Sequence, residues 1–221
     1  MTKHDVIGVY LPRFIASFLP GVLWRQPVPS HQRTAFLTYD DGPSIHTISL
    51  LEVLNAYEQK ACFFMCASRI ASLPDVVSEV RRAGHIVGLH GFSHLDAWRA
   101  GSASARADFE KAISIFRTLS PPNAVLYRPP YGHLTPGMVR RVKDVGGRVV
   151  LWDLLPGDYD PTQSAAVVAS RITEHIRSGS IIALHDGPQS GAKAVEVTRR
   201  VLDQLTPSGW TFPALSSSSS L

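Results

Sequence analysis

From residue 34 onward, short apolar or β-branched runs alternate with segments of helical period, and no other feature restricts the fold as much. The runs cover residues 34–39, 61–65, 85–89, 124–127, 148–152 and 180–184, with a short last one near 210–212. Six helical segments separate them. Strand, helix, strand repeated this regularly implies parallel pairing through right-handed crossovers. The expected class is therefore α/β, a distorted (β/α)7 barrel of parallel strands in a single domain, with a doubly wound sheet as the competitor. No Gly-x-Gly-x-x-Gly follows the first run and no Walker-type phosphate loop occurs, which favours the barrel over a dinucleotide-binding sheet. A chain of 221 residues is long enough for one well-buried core. Ser72 with Pro74 and Thr135 with Pro136 mark helix starts, each a capping residue near a first-turn proline. Gly84, Gly146 and Gly179 mark helix ends.

The repeating pattern leaves two ends outside it. Residues 1–33 read as an N-terminal arm, 34–213 as the main domain, and 214–221, ending in "SSSSSL", as a disordered Ser-rich tail. The arm is apolar, but Pro12, Arg13 and Pro20 interrupt it and no small-residue cleavage site follows, which argues against a spanning helix and a signal peptide. An arm packed on the domain is expected, with an interfacial anchor at Trp24 and Arg25 or a poor export signal as alternatives. The expected location is the cytoplasm or the inner face of a membrane. Lys3, Arg13, Arg25 and Arg33 would suit peripheral contact with an anionic membrane surface.

Net charge is +4 and no basic run exceeds a pair, which argues against nucleic acid as a partner. The two cysteines, Cys62 and Cys66, would lie about 13 Å apart along one strand, too far for a disulfide. They read as core thiols.

In a parallel barrel the functional residues stand just after the strands, at their carboxyl ends. Here Asp40 and Asp41 follow the first run, His90 and His94 the third, Arg128 the fourth, Asp153 and Asp158 the fifth, and His185 and Asp186 the sixth. Titratable residues from five strand ends thus converge on one rim. In "TYDDGP" two adjacent carboxylates resist joint ionisation unless something positive sits beside them, although a plain Asp-rich turn is the simpler explanation. In "HGFSH", His90 and His94 are four residues apart, which suits a single divalent cation or a solvated face. Two His and one Asp would make an open catalytic metal site, leaving the other Asp free as a base.

These stretches, with "RPPYG" (residues 128–132), "WDLLPGDYD" (152–160) and "IIALHDG" (181–187), resemble in order the five motifs of the polysaccharide deacetylase family, the NodB-homology domain of carbohydrate esterase family 4. The resemblance implies a metal-dependent hydrolase that removes N-acetyl groups from an N-acetylglucosamine-containing carbohydrate. The implied substrates are peptidoglycan, a chitin-like oligomer or a lipid-linked precursor. It implies Asp40 as general base, and Asp41, His90 and His94 as ligands of Zn²⁺, with Co²⁺, Ni²⁺ or Mn²⁺ as alternatives. Arg128 would orient Asp40, the backbone amide of Tyr131 would help hold the oxyanion, and His185 would be the general acid with Asp158 as its partner. Pro129, Pro130, Tyr159, Ala183 and Leu184 would line the substrate pocket.

Several positions depart from the family pattern. Tyr39 stands for Phe, Gly91 for the hydroxyl residue after the first metal His, Leu155 for an Asp, Tyr159 for Trp and Ala183 for Leu. The last two remove volume beside the expected acetyl methyl, which suggests a wider acyl pocket. Alternatives are therefore an O-acetyl esterase or small-amide hydrolase on the same fold, or a carbohydrate-binding protein without catalysis. Asp153, Asp160 and Asp186 read as supporting or turn residues. His85, His133 and His175 read as surface or satisfied histidines.

Overall fold

In the computed structural model, which describes residues 21–29, 31–119 and 125–215, seven parallel strands form one curled sheet. In chain order they are β1 (Val22–Leu23), β2 (Phe36–Gly42), β3 (Ala61–Met65), β4 (Ile86–Leu89), β5 (Leu126–Tyr127), β6 (Arg148–Val150) and β7 (Ile181–His185). The spatial order is β1-β6-β5-β4-β3-β2-β7, so the curl runs through consecutive strands and takes in β1 and β7 at its two edges. A parallel bridge between Leu154 and Ile182 ties the chain after β6 to β7. The structure is thus the expected distorted barrel, seen as a curled half-barrel sheet.

Alternation of side chains along the strands divides the core in two. Leu37, Tyr39, Phe63, Met65, Ile182 and Leu184 belong to a large apolar cluster shared with the helices. The other face contributes Leu23, Phe36, Cys62, Phe64, Leu126, Val150 and Ile181 to a smaller cluster without helical residues, which fills the concave side. Both cysteines are buried free thiols, and burial pushes each of them up.

The helices are α1 (Ile45–Ala56), α2 (Ala67–Ser72), α3 (Pro74–Arg82), α4 (Ala97–Leu119), α5 (Pro136–Asp144), α6 (Ala165–His175) and α7 (Gly191–Leu205). Ser44 and Thr47 form a reciprocal capping box at α1, and the Thr135 hydroxyl accepts the Met138 N–H at α5 with Pro136 in the first turn. Gly84 and Gly146 follow their helices at φ 79° and 76°.

Three expectations need correction. The seventh strand is β1, from the arm; residues 210–212 contribute only a bridge from Thr211 to Thr34. Two apolar residues inside a longer apolar stretch carry no strand period, so the pattern could not single them out. The arm is also held by the Gln26 N–H on the Gly179 carbonyl at 2.9 Å, and by Arg25 Nε 3.3 Å from Asp153. Ser72 ends α2 and does not cap α3, whose cap position is Leu73. The tail begins later than residue 214, because Leu215 is 2% exposed and completes the concave cluster. Residues 1–20 and 216–221, with their arm and tail readings, lie outside the described residues. Among the described residues, no helix is long and apolar enough to cross a membrane.

Candidate active site

The site begins with a defect in β2. Neighbouring residues on a strand point to opposite faces, so Asp40 and Asp41 would ordinarily diverge. The pairing of β2 with β3 slips between Asp40 and Gly42, and Asp41 takes φ 74°. This bulge turns Asp41 onto the rim while Asp40 keeps its inward direction. Positive φ is costly without a glycine, yet His94 (61°) and Tyr131 (59°) share it, and all three line one cavity. Gly42 precedes Pro43 through a cis peptide bond.

Asp40 is 2% exposed and accepts a 2.7 Å bond from Arg128 Nη1. Arg128 is fully buried, so the pair must be satisfied internally. Its Nη1 also donates to Thr38 Oγ1 at 2.7 Å and its Nη2 to the Leu151 carbonyl at 2.9 Å. The guanidinium lies over the Phe64 ring, 4.1 Å from its centroid. Both Nη1 protons are taken up and the plane is covered by Phe64, so the guanidinium holds the Asp40 carboxylate in place.

Asp41, His90 and His94 offer ligand atoms all within 4.8 Å of one another. Nε2 of His94 lies 3.0 Å and Nε2 of His90 3.4 Å from Asp41 Oδ1, a buried acceptor with no hydrogen-bond partner in the protein. His90 Nδ1–H donates to the Arg128 carbonyl at 2.8 Å, which leaves the Nε2 lone pair directed at Asp41. An orphaned carboxylate oxygen facing two imidazole nitrogens fits a borderline divalent cation.

His185 faces this group from β7. Its Nδ1–H donates to Asp158 Oδ1 at 2.9 Å, and its backbone N–H to Asp158 Oδ2 at 2.7 Å, so one buried carboxylate fixes both ring and backbone. Burial lowers the imidazole, but Asp158, followed by Asp40 and Asp41, raises it to about 9.

A cavity of about 450 Å³ joins these groups, lined by Asp40, Asp41, His90, His94, Tyr131 and His185 together with His133, Trp152, Leu155 and Tyr159. The Tyr159 ring stands edge-on to His185, 5.3 Å away. Four of the expected pocket residues do not line it. Leu184 alternates outward into the helix-facing core, Ala183 is fully buried in β7, and Pro129 and Pro130 are buried beneath the Tyr131 turn. The suggestion of a wider acyl pocket therefore rests on Tyr159 alone.

Sequence reasoning missed Asp108. From α4 it accepts the backbone N–H groups of Phe92 (2.8 Å) and Ser93 (3.1 Å) and the Ser93 hydroxyl (2.6 Å). The loop between the two His is thus braced where Gly91, at φ 75°, offers no hydroxyl. A single Asp in a helix carries no spacing signal, so only the fold reveals this contact. His133 was expected to be unremarkable and instead lines the cavity. Of the other acids, Asp153 accepts from Ser180 Oγ and the Ile181 N–H, and Asp160 from Thr162. Asp186, fully buried and bonded by the Thr47 hydroxyl, is raised to about 7, chiefly by burial.

Comparison with known proteins gives concordant results. A family model described as polysaccharide deacetylase matches residues 28–150. A peptidoglycan-N-acetylglucosamine deacetylase of Bacillus cereus is 29% identical over 201 residues, covering 88% of this chain and 91% of that protein. A chitooligosaccharide deacetylase of Rhizobium leguminosarum bv. trifolii is 30% identical over 159 residues, covering 72% of this chain and 74% of its own length. Among solved structures, the peptidoglycan deacetylase PdaC of Bacillus subtilis aligns with a TM-score of 0.75 at 26% identity, covering 85% of this chain and 90% of that one.

Proposed function

We propose that this chain, which belongs to the polysaccharide deacetylase family, is a metal-dependent hydrolase that removes N-acetyl groups from an N-acetylglucosamine-containing cell-wall carbohydrate and releases acetate. The observation that carries this reading is the meeting, in one cavity, of an Arg-bound Asp40, the Asp41–His90–His94 cluster and the His185–Asp158 pair. A carbohydrate-binding protein would need neither the base nor the acid.

Asp41, His90 and His94 would hold the cation, Zn²⁺ above all, with Co²⁺, Ni²⁺ or Mn²⁺ as alternatives. When bound, such an ion supplies Lewis acidity toward a substrate carbonyl and toward water. Asp40, held by Arg128, accepts a proton from the attacking water as the new C–O bond forms. The backbone N–H of Tyr131 donates to the developing oxyanion. His185, kept protonated by Asp158, gives its proton to the departing nitrogen as the C–N bond breaks. The products are acetate and a free amino sugar.

The direct test is acetate release from N-acetylglucosamine oligomers, with and without chelator, and after Zn²⁺ is restored. Release should disappear with chelator and return with metal. No release by protein shown to carry one equivalent of metal would overturn the assignment.

The proton on His185 sets a pH dependence. Activity needs the protonated ring, so it should fall as pH rises through the folded-state value. A cation beside Asp41 offsets part of that carboxylate's field, which places the alkaline limb between the ordinary 6.5 and about 9. Asp158→Asn removes the leading cause of the upward shift, so its limb should move to lower pH with kcat about 10²- to 10⁴-fold down. An unmoved limb would exclude His185 as the acid. Because the folded value exceeds the unfolded one, the pair's stabilisation is complete below about 6.5 and is lost as pH rises through that folded value, about 9 without the cation and lower with it.

A further inference from the structure

Beyond the metal cluster, a row of aromatic rings leads out of the cavity and ends on an exposed indole. The Tyr131 ring lies 4.6 Å from His94 and 5.6 Å from His133. His133 in turn stacks on Trp98 at 3.9 Å with an interplanar angle of 2°. Trp98 and Tyr131 are 62% and 58% exposed, the highest values among the large aromatic side chains described.

Trp98 is held in place. Its indole N–H donates to the Leu134 carbonyl at 3.0 Å, and its backbone N–H donates to Asp96 Oδ1 at the same distance. Asp96 Oδ1 also accepts from His133 Nδ1 at 2.7 Å, which fixes the ring beneath the indole. One indole face is therefore covered by His133 and its polar atom is satisfied, which leaves the opposite face as a flat, immobilised apolar surface. Packing of the fold does not require this exposure. A held aromatic plane loses little entropy when a ligand stacks on it, and the C–H face of a pyranose ring is a suitable partner.

We propose that Trp98, backed by His133, is a sugar-binding platform for a further unit of the substrate chain, one or more positions away from the residue that is deacetylated. This rests on the deacetylase reading above. His133 lines the catalytic cavity and touches the platform, so a chain leaving the cavity along these rings reaches Trp98. The platform makes the protein selective for oligomers and polymers over single sugars.

The test compares wild type, Trp98→Ala and Trp98→Phe on N-acetylglucosamine oligomers from one to six units. The expected result is a KM raised about tenfold by Trp98→Ala on the longer oligomers, with kcat kept and the loss confined to them, in line with one lost aromatic stacking contact. Trp98→Phe should restore most of the difference. An unchanged KM at every length, or an equal loss at every length, would overturn the proposal. If wild type releases no acetate from any oligomer, the deacetylase reading fails separately and calorimetric binding decides the platform. Affinity that grows with oligomer length in wild type and not in Trp98→Ala sustains it, and absence of length dependence in wild type removes it.

Discussion

Asp40→Asn should lower acetate release by roughly 10²- to 10⁴-fold, the range for loss of a general base, while Zn²⁺ affinity measured by calorimetry stays within a few fold. The two readouts separate because Asp40 bonds to Arg128 and takes no part in the cluster of Asp41, His90 and His94. Asparagine has the same shape, so the cavity survives. It cannot neutralise Arg128, whose remaining partners are the Thr38 hydroxyl and the Leu151 and Val150 carbonyls. Some stability is lost, and rates must be compared well below the melting temperature of the variant. Activity within tenfold of wild type would rule Asp40 out as the base.

The second large effect is on stability. Arg128→Met removes the only guanidinium bonded to Asp40 among the described residues and leaves a carboxylate that is 2% exposed without a counter-charge. Breaking one partner out of a buried pair costs about 3–5 kcal/mol. For a domain of this size that corresponds to a melting temperature lower by roughly 6–20 °C. The double variant Asp40→Asn with Arg128→Met should recover part of the loss, because the stranded charge is gone. A single-variant shift under 2 °C, or no recovery in the double variant, would mean that the pair is not energetically coupled. Arg128 also shapes the site through its main chain, since its carbonyl fixes the His90 tautomer. The backbone contact survives substitution of the side chain, so metal binding should persist where folding does.

The strands around the site were legible because strands buried in a parallel sheet appear as short apolar runs punctuated by turn residues. β2, β3, β6 and β7 fall within or beside those runs. Part of the titratable rim was legible for the same reason: Asp40, His90, Arg128 and His185 each follow such a run directly. What stayed hidden depended on contacts between distant segments. β1 is two residues long and gains its identity only by pairing with β6. The bulge at Asp41 has no composition signal, although it decides that two neighbouring carboxylates can share a rim. Leu215 looked like tail until the concave cluster gave it a place. Asp108, Trp98 and His133 come from a helix and a loop, where residue type alone does not distinguish a brace or a platform from an ordinary surface group.

The bulge in β2 also bears on how a site like this can be altered. Asp40 and Asp41 hang from adjacent Cα atoms about 3.8 Å apart, in a strand paired on both sides by β3 and β7. Their separation is set by the backbone, and no rearrangement of the surrounding loops can change one position without the other. Trp98, Tyr131, Leu155 and Tyr159 sit in α4 and the connections after β5 and β6, outside the strands. On the proposed reading, Asp40, Asp41 and the acid His185 are carried by strands, whereas Trp98, Leu155 and Tyr159 are carried by a helix and a connection. On that reading, substitutions at Trp98, Leu155 and Tyr159 should change which glycan is accepted while Asp40 and Asp41 keep their register in the strand.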